Sequence, residues 1–368
     1  MVAASGTAQA MGRADPRLLL IIQRGGTDGL TFLPPVGDPD LVSVRPDLES
    51  AGTLPLDGFF ALPSTMPTAA ELWQRGELAG FHAISTPYRD RSHFDAQNVL
   101  ESGLSRPEGA ANGWLNRALA LRPDSASRGL SVGTGTPLVM RGPAAVGSWA
   151  PSQLPVADPT LVDRLMPLWG SDPLLATMLA QGRDLQAMTG GMTGKRGGIA
   201  AVMAGLMDNV GQLMARPGGP RIVAMDSGGW DMHANLRFYM NLLTGDLDQG
   251  IANLRSQLGS VWSDTVVLIV SEFGRTVDPN GTGGADHGIG GAAMVLGGAV
   301  RGGRVFADWP GLRAADRIDN RDLRPTQDLR HVFADILGNH LGYSRAEISE
   351  TILPGYVFPA TRTELFRS

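Results

Sequence analysis

The run Thr265–Val270, TVVLIV, passes without a break into Ser271-Glu272-Phe273-Gly274-Arg275. Six apolar or β-branched residues in a row have the length and composition of a strand buried on both faces. Such strands belong to parallel sheets covered by helices, and ligands in those sheets gather at the carboxyl ends of the strands. Glu272 and Arg275 stand at that edge. A glycine-rich loop with Pro279 and Asn280 follows and carries Asp286-His287-Gly288, after which AAMVLGG reads as the next buried strand. Two carboxylates and a histidine on a loop between core strands form a metal corner. Taken singly, Glu272 reads as a cap or ion-pair partner and His287 as a satisfied loop histidine, so the rest of the chain must decide.

RLLLIIQ, residues 17–23, is the first strong strand and runs into Arg24-Gly25-Gly26-Thr27-Asp28-Gly29. The glycines do not have the G-x-G-x-x-G spacing of a dinucleotide site, and Pro34, Pro35 and Pro39 interrupt any following helix. Gly133-Thr134-Gly135 also lacks the third glycine. A nucleotide-binding oxidoreductase is therefore disfavoured. Asp28 remains as a carboxylate just past a core strand, where an Asp-Gly turn explains it equally. LAGFHAIS, residues 78–85, is a second core strand, with His82 as a packed histidine. Beyond it, Ser92 opens a helical pattern through Val99 and Leu100. Ser92 serves there as an N-cap, or it sits where helix amides hold an anion, with Arg89 and Arg91 adding positive charge. RIVAM, residues 221–225, delivers DSGGWDMH, and Asp231 and His233 at this spacing converge on one metal from an irregular loop. Helices are expected over 64–76, 160–183, 194–215, 235–259 and 328–341, and an irregular strand over 129–142. His331 and His340 are left outside the site.

Composition narrows the partners. With 43% hydrophobic residues the chain buries a substantial core, whereas 18% charged residues and a net charge of −5 argue against nucleic acid and anionic membranes. No apolar run approaches the ~20 residues of a membrane span. The absence of cysteine excludes disulfides and thiolate sites. Forty-nine glycines and 25 prolines make the chain loop-rich. Ala8-Gln9-Ala10 has the form of a signal-peptidase site without the charged and apolar regions that precede one. Residues 1–16 are accordingly expected to be a disordered remnant of an export segment. Residues 17–368 are expected to form a single domain, with a loop- and helix-rich insertion around 105–220.

RGGTDGL, RSHF with ESG ten residues later, GWDMH, SEFGR, DHG and the closing DLR, in this order, resemble the bacterial domain-of-unknown-function 1501 proteins. The resemblance runs from about residue 17 to 345 and is most specific at SEFGR followed by DHG. That family is regarded as a branch of the alkaline phosphatase and sulfatase superfamily. The resemblance implies an α/β fold, a three-layer α/β/α sandwich with a mostly parallel central sheet, and metal ligands at its carboxyl edge. It also implies export to the periplasm by the twin-arginine route. Carried over, Asp28 matches the first-strand metal aspartate, Ser92 the nucleophile, Asp231 and His233 one metal's pair, Glu272 the strand-end acid of another metal, and His287 the late histidine. Two departures stand out. The superfamily's Asp-His dipeptide appears here as Glu272-Phe273, and the Asp-x-x-x-His spacing is shortened to Asp231-Met232-His233.

The expectation is a metal-dependent hydrolase of a small phosphate or sulfate ester. One divalent ion (zinc, manganese, magnesium or calcium) would bind through Asp231, His233 and His287. A second, if present, would bind through Asp28 and Glu272, bridged by Ser92, and Asp286 would substitute for the ligand lost with the Asp-His dipeptide. Ser92 or a water would attack, and Arg91 or Arg275 would balance negative charge. The alternative is a non-catalytic exported binding or assembly protein that keeps the fold.

Overall fold

Strand β1, Arg17–Gln23, is buried along its whole length and pairs in parallel on both sides, with β7 (Ile222–Ser227) and with β8 (Thr265–Ser271). The computed structural model to which they belong describes residues 15–49, 52–122, 129–151, 202–360 and 364–367, with six single positions between 164 and 189. Residues 1–14, most of the expected helix over 160–183, and part of the insertion expected around 105–220 lie outside the described residues. Among the described residues the central sheet has nine strands. The remaining members are β4 (Leu78–Ser85), β5 (Gly129–Val132), β6 (Gly147–Trp149), β9 (Gly291–Leu296), β10 (Arg304–Phe306) and β11 (Gln327–Asp328). β2 (Thr53–Pro55) and β3 (Ala61–Pro63) form a separate antiparallel pair.

The strand order is β10-β4-β9-β8-β1-β7-β5-β6, with β11 also alongside β4. Every pairing in this sheet is parallel except those of β9, which runs antiparallel to both β4 and β8. An antiparallel partner needs no crossover helix. That is why the chain returns from β8 through the glycine-rich loop alone.

Alternation along each strand divides the core into two layers. Leu19, Ile21, Val223, Met225, Val267 and Ile269 face the helices Val202–Ala215 and Leu236–Leu258. Leu18, Leu20, Ile22, Val266, Leu268 and Val270 face the opposite layer, where Leu100, Trp114, Leu119 and Phe333 pack. Each such side chain contributes roughly 1.5–3 kcal/mol on full burial. A sheet buried on both faces with helices outside is the α/β/α sandwich that the motif resemblance implies.

The helix expected over 64–76 begins later, at Pro67, with Met66 in the cap position in place of Ser64. Proline at the first position presets the helical φ and lacks the amide that a cap would satisfy. The long helix Leu236–Leu258 agrees with its expected 235–259. The helix expected over 328–341 starts at Arg330 and passes into a π-turn at Ile336–His340. In the 129–142 stretch only β5 is extended, and Leu138–Met140 form a 3₁₀ turn. His82 is a core histidine. It is fully buried at a bulge in β4, with Nε2 3.1 Å from the Gly29 carbonyl and Nδ1 accepting the Ala83 amide.

Because β1, β4, β7 and β8 all point the same way, the segments after them meet at one edge of the sheet. Those segments are residues 24–28, 86–93, 228–233 and 272–275.

Candidate metal centre

The loops at this edge pack backbone against backbone. Gly25 has φ +123°, and a Cβ there would lie 2.4 Å from the Asp231 amide nitrogen. A Cβ on Gly284 would lie 2.1 Å from the His233 carbonyl carbon. Only glycine permits this approach, which accounts for the glycines of RGGTDG and of the DHG loop. The result is that residues from four separate strand ends share one small volume.

Three histidines and one aspartate converge there. His93 Nε2 and His233 Nε2 each lie 3.0 Å from His287 Nε2. Asp231 Oδ1 is 3.1 Å from His233 Nε2 and 3.3 Å from His287 Nε2, and its Oδ2 is 3.6 Å from His93 Nε2. The other ring nitrogen of each histidine faces an oxygen. His93 Nδ1 is 2.8 Å from Glu272 Oε1, His233 Nδ1 is 2.9 Å from Asp286 Oδ1, and His287 Nδ1 is 3.1 Å from the Arg91 carbonyl. A carboxylate or carbonyl oxygen only accepts, so each Nδ1 carries the proton and each Nε2 presents a lone pair. Lone pairs and a carboxylate at these separations repel. The Arg275 guanidinium offsets part of this repulsion, 3.4 Å from His233 Nε2 and bonded to Asp231 Oδ1, and a cation among the Nε2 atoms would offset the rest.

The carboxylates are held ionised. Burial opposes the Asp231 charge, but the hydrogen bond and charge of Arg275 outweigh it and keep its pKa below the usual value. Burial likewise opposes Glu272, and hydrogen bonds from His93, Gln97 and the Gly25 amide overcome it. The hydrogen bond from His233, with that from Asn280, lowers Asp286. Among the imidazoles, the Glu272 hydrogen bond raises His93 against burial, whereas burial lowers His287. Asp231 and His233 have about half of their side-chain surface exposed, 49% and 47%, so one side of the cluster opens to solvent. The ring of Phe273 closes another side, 4.7 Å from His93 and 5.1 Å from His287 between centroids.

Asp231, His233 and His287 therefore come together as expected neighbours, and the other expected residues lie around them in different roles. Glu272 is 1% exposed and is occupied by His93, Gln97 and Gly25. Asp286 reaches the cluster only through His233. Asp28 is paired with the buried Arg45 and caps a short turn through Thr31, so its charge is already balanced. Ser92 occupies the N-cap of the helix His93–Ser102 without a side-chain cap bond.

Neither arginine points a free guanidinium at the cluster. Arg91 is held by Asp322, 2.7 Å from its Nε, and by Asp319. Arg275 is 2% exposed and donates to the Gly25, Gly26, Trp230 and Ala285 carbonyls as well as to Asp231. It acts as a clamp across three loops. His93 is the residue sequence reasoning missed: RSHF was read for its serine, although the histidine beside it also follows a parallel strand.

The fold and site define an α/β/α protein with a His/Asp cluster suited to a cation at the carboxyl edge of its sheet. Residues 177–352 match the model of the family described as "Protein of unknown function (DUF1501)", the family its motifs resemble. Among solved structures the chain is similar to the C-terminal periplasmic domain of EcEptC from Escherichia coli in complex with Zn, at 12% identity and a TM-score of 0.38, covering 78% of this chain and 74% of that one. It is similar to the lipoteichoic acid synthase LtaP from Listeria monocytogenes, at 8% identity and a TM-score of 0.41, covering 84% and 70%. It is also similar to Ps i-CgsB in complex with k-i-k-neocarrahexaose, at 11% identity and a TM-score of 0.41, covering 80% and 68%. At this level of likeness nothing about the site or a reaction carries over. No curated protein matches the chain. Among the described residues no helix is long and apolar enough to cross a membrane.

Proposed function

We propose that the chain is a metal-dependent hydrolase of a phosphate or sulfate ester, built on one divalent ion held by His93, Asp231, His233 and His287. The observation that carries this reading is that donor atoms of His93, Asp231 and His287 all lie within 4.8 Å of one another, with His233 Nε2 beside them at 3.0 Å from His287 Nε2 and 3.1 Å from Asp231 Oδ1. Donors bonded to one ion at about 2.0–2.2 Å in a tetrahedral arrangement lie roughly 3.3–3.6 Å apart, and small outward shifts of the rings bring the donors to that spacing. Three imidazoles favour zinc over calcium, magnesium and manganese, which prefer oxygen ligands.

When bound, such an ion supplies Lewis acidity, polarising an ester oxygen and lowering the pKa of a water. The protein supplies the rest. Glu272, Asp286 and the Arg91 carbonyl set the tautomer and tilt of the three rings. Arg275 holds Asp231 against the loops from β1 and β7. The open side at Asp231 and His233 admits the ester. Ser92 or a water is the nucleophile in this reading. Export to the periplasm, implied by the motif resemblance, belongs to the same reading, and cell fractionation tests it.

A non-catalytic metal protein is the second reading. It is favoured by the engagement of both Arg91 and Arg275, the residues expected to meet a substrate oxyanion. Elemental analysis decides first, on the wild type beside an Asp231→Ala, His287→Ala double variant. One ion per wild-type chain and none in the variant, with turnover of phosphate or sulfate esters lost in parallel, is the expected result. An ion without turnover on any ester of either class supports the second reading. No ion after reloading with zinc or manganese ends both.

A further inference from the structure

We propose that Asn280 is a positioning residue of this centre, acting through the donor side of its amide to aim His233. The inference rests on the metal-binding reading above. Asn280 sits on the exposed loop between β8 and β9, and its side chain ties three pieces of chain together. Its Oδ1 accepts from the Thr282 amide at 3.0 Å and the Gly284 amide at 3.0 Å. Its Nδ2 donates to the His233 carbonyl at 2.9 Å and to Asp286 Oδ1 at 3.1 Å. Asp286 Oδ1 is the same atom that receives the His233 Nδ1 proton. The amide orientation is decided by these partners: two amide protons on one side and two bare oxygens on the other.

His233 is thus held twice by one side chain, at its own carbonyl and through the carboxylate that orients its ring. The need is physical. His233 and Asp286 both have about half of their side-chain surface exposed, 47% and 50%, so packing does not immobilise them. A half-exposed ligand keeps its aim only if hydrogen bonds fix it, and losing such supporting bonds typically costs 10–100-fold in metal affinity.

The acceptor and donor halves of the amide are separable. Aspartate supports the same kind of turn through its carboxylate, so Asn280→Asp keeps the bonds from Thr282 and Gly284. It replaces the donor with an oxygen facing the His233 carbonyl and Asp286. The experiment is a chelator competition for zinc on the purified full chain, with a thermal melt of each metal-free variant. Asn280→Asp is expected to melt like the wild type and to bind zinc at least ten-fold more weakly. The double variant Asn280→Asp, Asp286→Asn restores a donor opposite a carboxylate and is expected to recover part of that loss.

Wild-type affinity in Asn280→Asp, or a double variant weaker than Asn280→Asp, overturns the proposal while leaving the metal centre standing. A lowered melting point in Asn280→Asp with unchanged zinc affinity also overturns it, since the side chain then serves only the turn. Failure of the wild type to bind zinc, by contrast, removes the metal reading itself.

Discussion

Asp28 shows how one residue's partner decides its role. It lies past β1 where a metal aspartate is expected, but Arg45 reaches it from 17 positions along the chain, and the two side chains are 1% and 0% exposed. Removing one partner of a buried ion pair leaves the other charge uncompensated, at a cost of roughly 3–5 kcal/mol. Arg45→Met should therefore lower the unfolding free energy measured by chemical denaturation by an amount of that size. The metal content of the folded variant should stay at the wild-type value, as measured by elemental analysis. A wild-type content of two ions per chain, with one lost on Asp28→Asn, would restore Asp28 as a ligand.

At the scale of the element, the loop between β8 and β9 does the work of a helix crossover and of half the site. Its glycines are not equivalent. Gly284 packs on the backbone of His233, whereas a Cβ on Gly281 meets nothing within 4 Å. Gly284→Ala must push the loop off His233, so it should weaken zinc binding and lower the melting temperature. Gly281→Ala should leave both near the wild-type values. Equal behaviour of the two variants in paired melts and zinc titrations would show that the loop is not held as described.

At the scale of the whole molecule, acid stability turns on His82. Burial lowers its pKa from 6.5 to about 3, against the hydrogen bonds to the Gly29 and Leu33 backbone. In the unfolded chain the same imidazole titrates near 6.5, so between those values the unfolded state binds the extra proton. Stability then rises with pH across the window. The contribution is complete above about pH 6.5 and falls, by up to roughly 1.4 kcal/mol per pH unit, as the pH drops toward 3. Denaturation midpoints measured from pH 7 to pH 4 should fall more steeply for the wild type than for His82→Gln. Parallel profiles would mean that the core accepts the charged ring.

The sequence by itself determined the sheet. TVVLIV, RLLLIIQ, LAGFHAIS and RIVAM are legible because burial on both faces imposes apolar continuity that needs no knowledge of partners. It also determined where chemistry gathers, since parallel strands leave their carboxyl ends on one edge, and Asp231, His233 and His287 follow such strands or lie on the loop that leaves one. What only the tertiary structure decided is which polar atoms face one another. Glu272 and His287 are both polar residues on the loop that leaves β8, yet His287 presents its side chain to the cluster and Glu272 holds His93 from behind. His93 joins residues 138 or more positions away. Arg275 and Arg91 read as free charges until their carbonyl and carboxylate partners are seen. Local pattern carries hydrophobic burial because burial is non-directional and summed over many residues. It does not carry hydrogen-bond partnership, which depends on distances of a few ångströms between segments that the fold alone brings together.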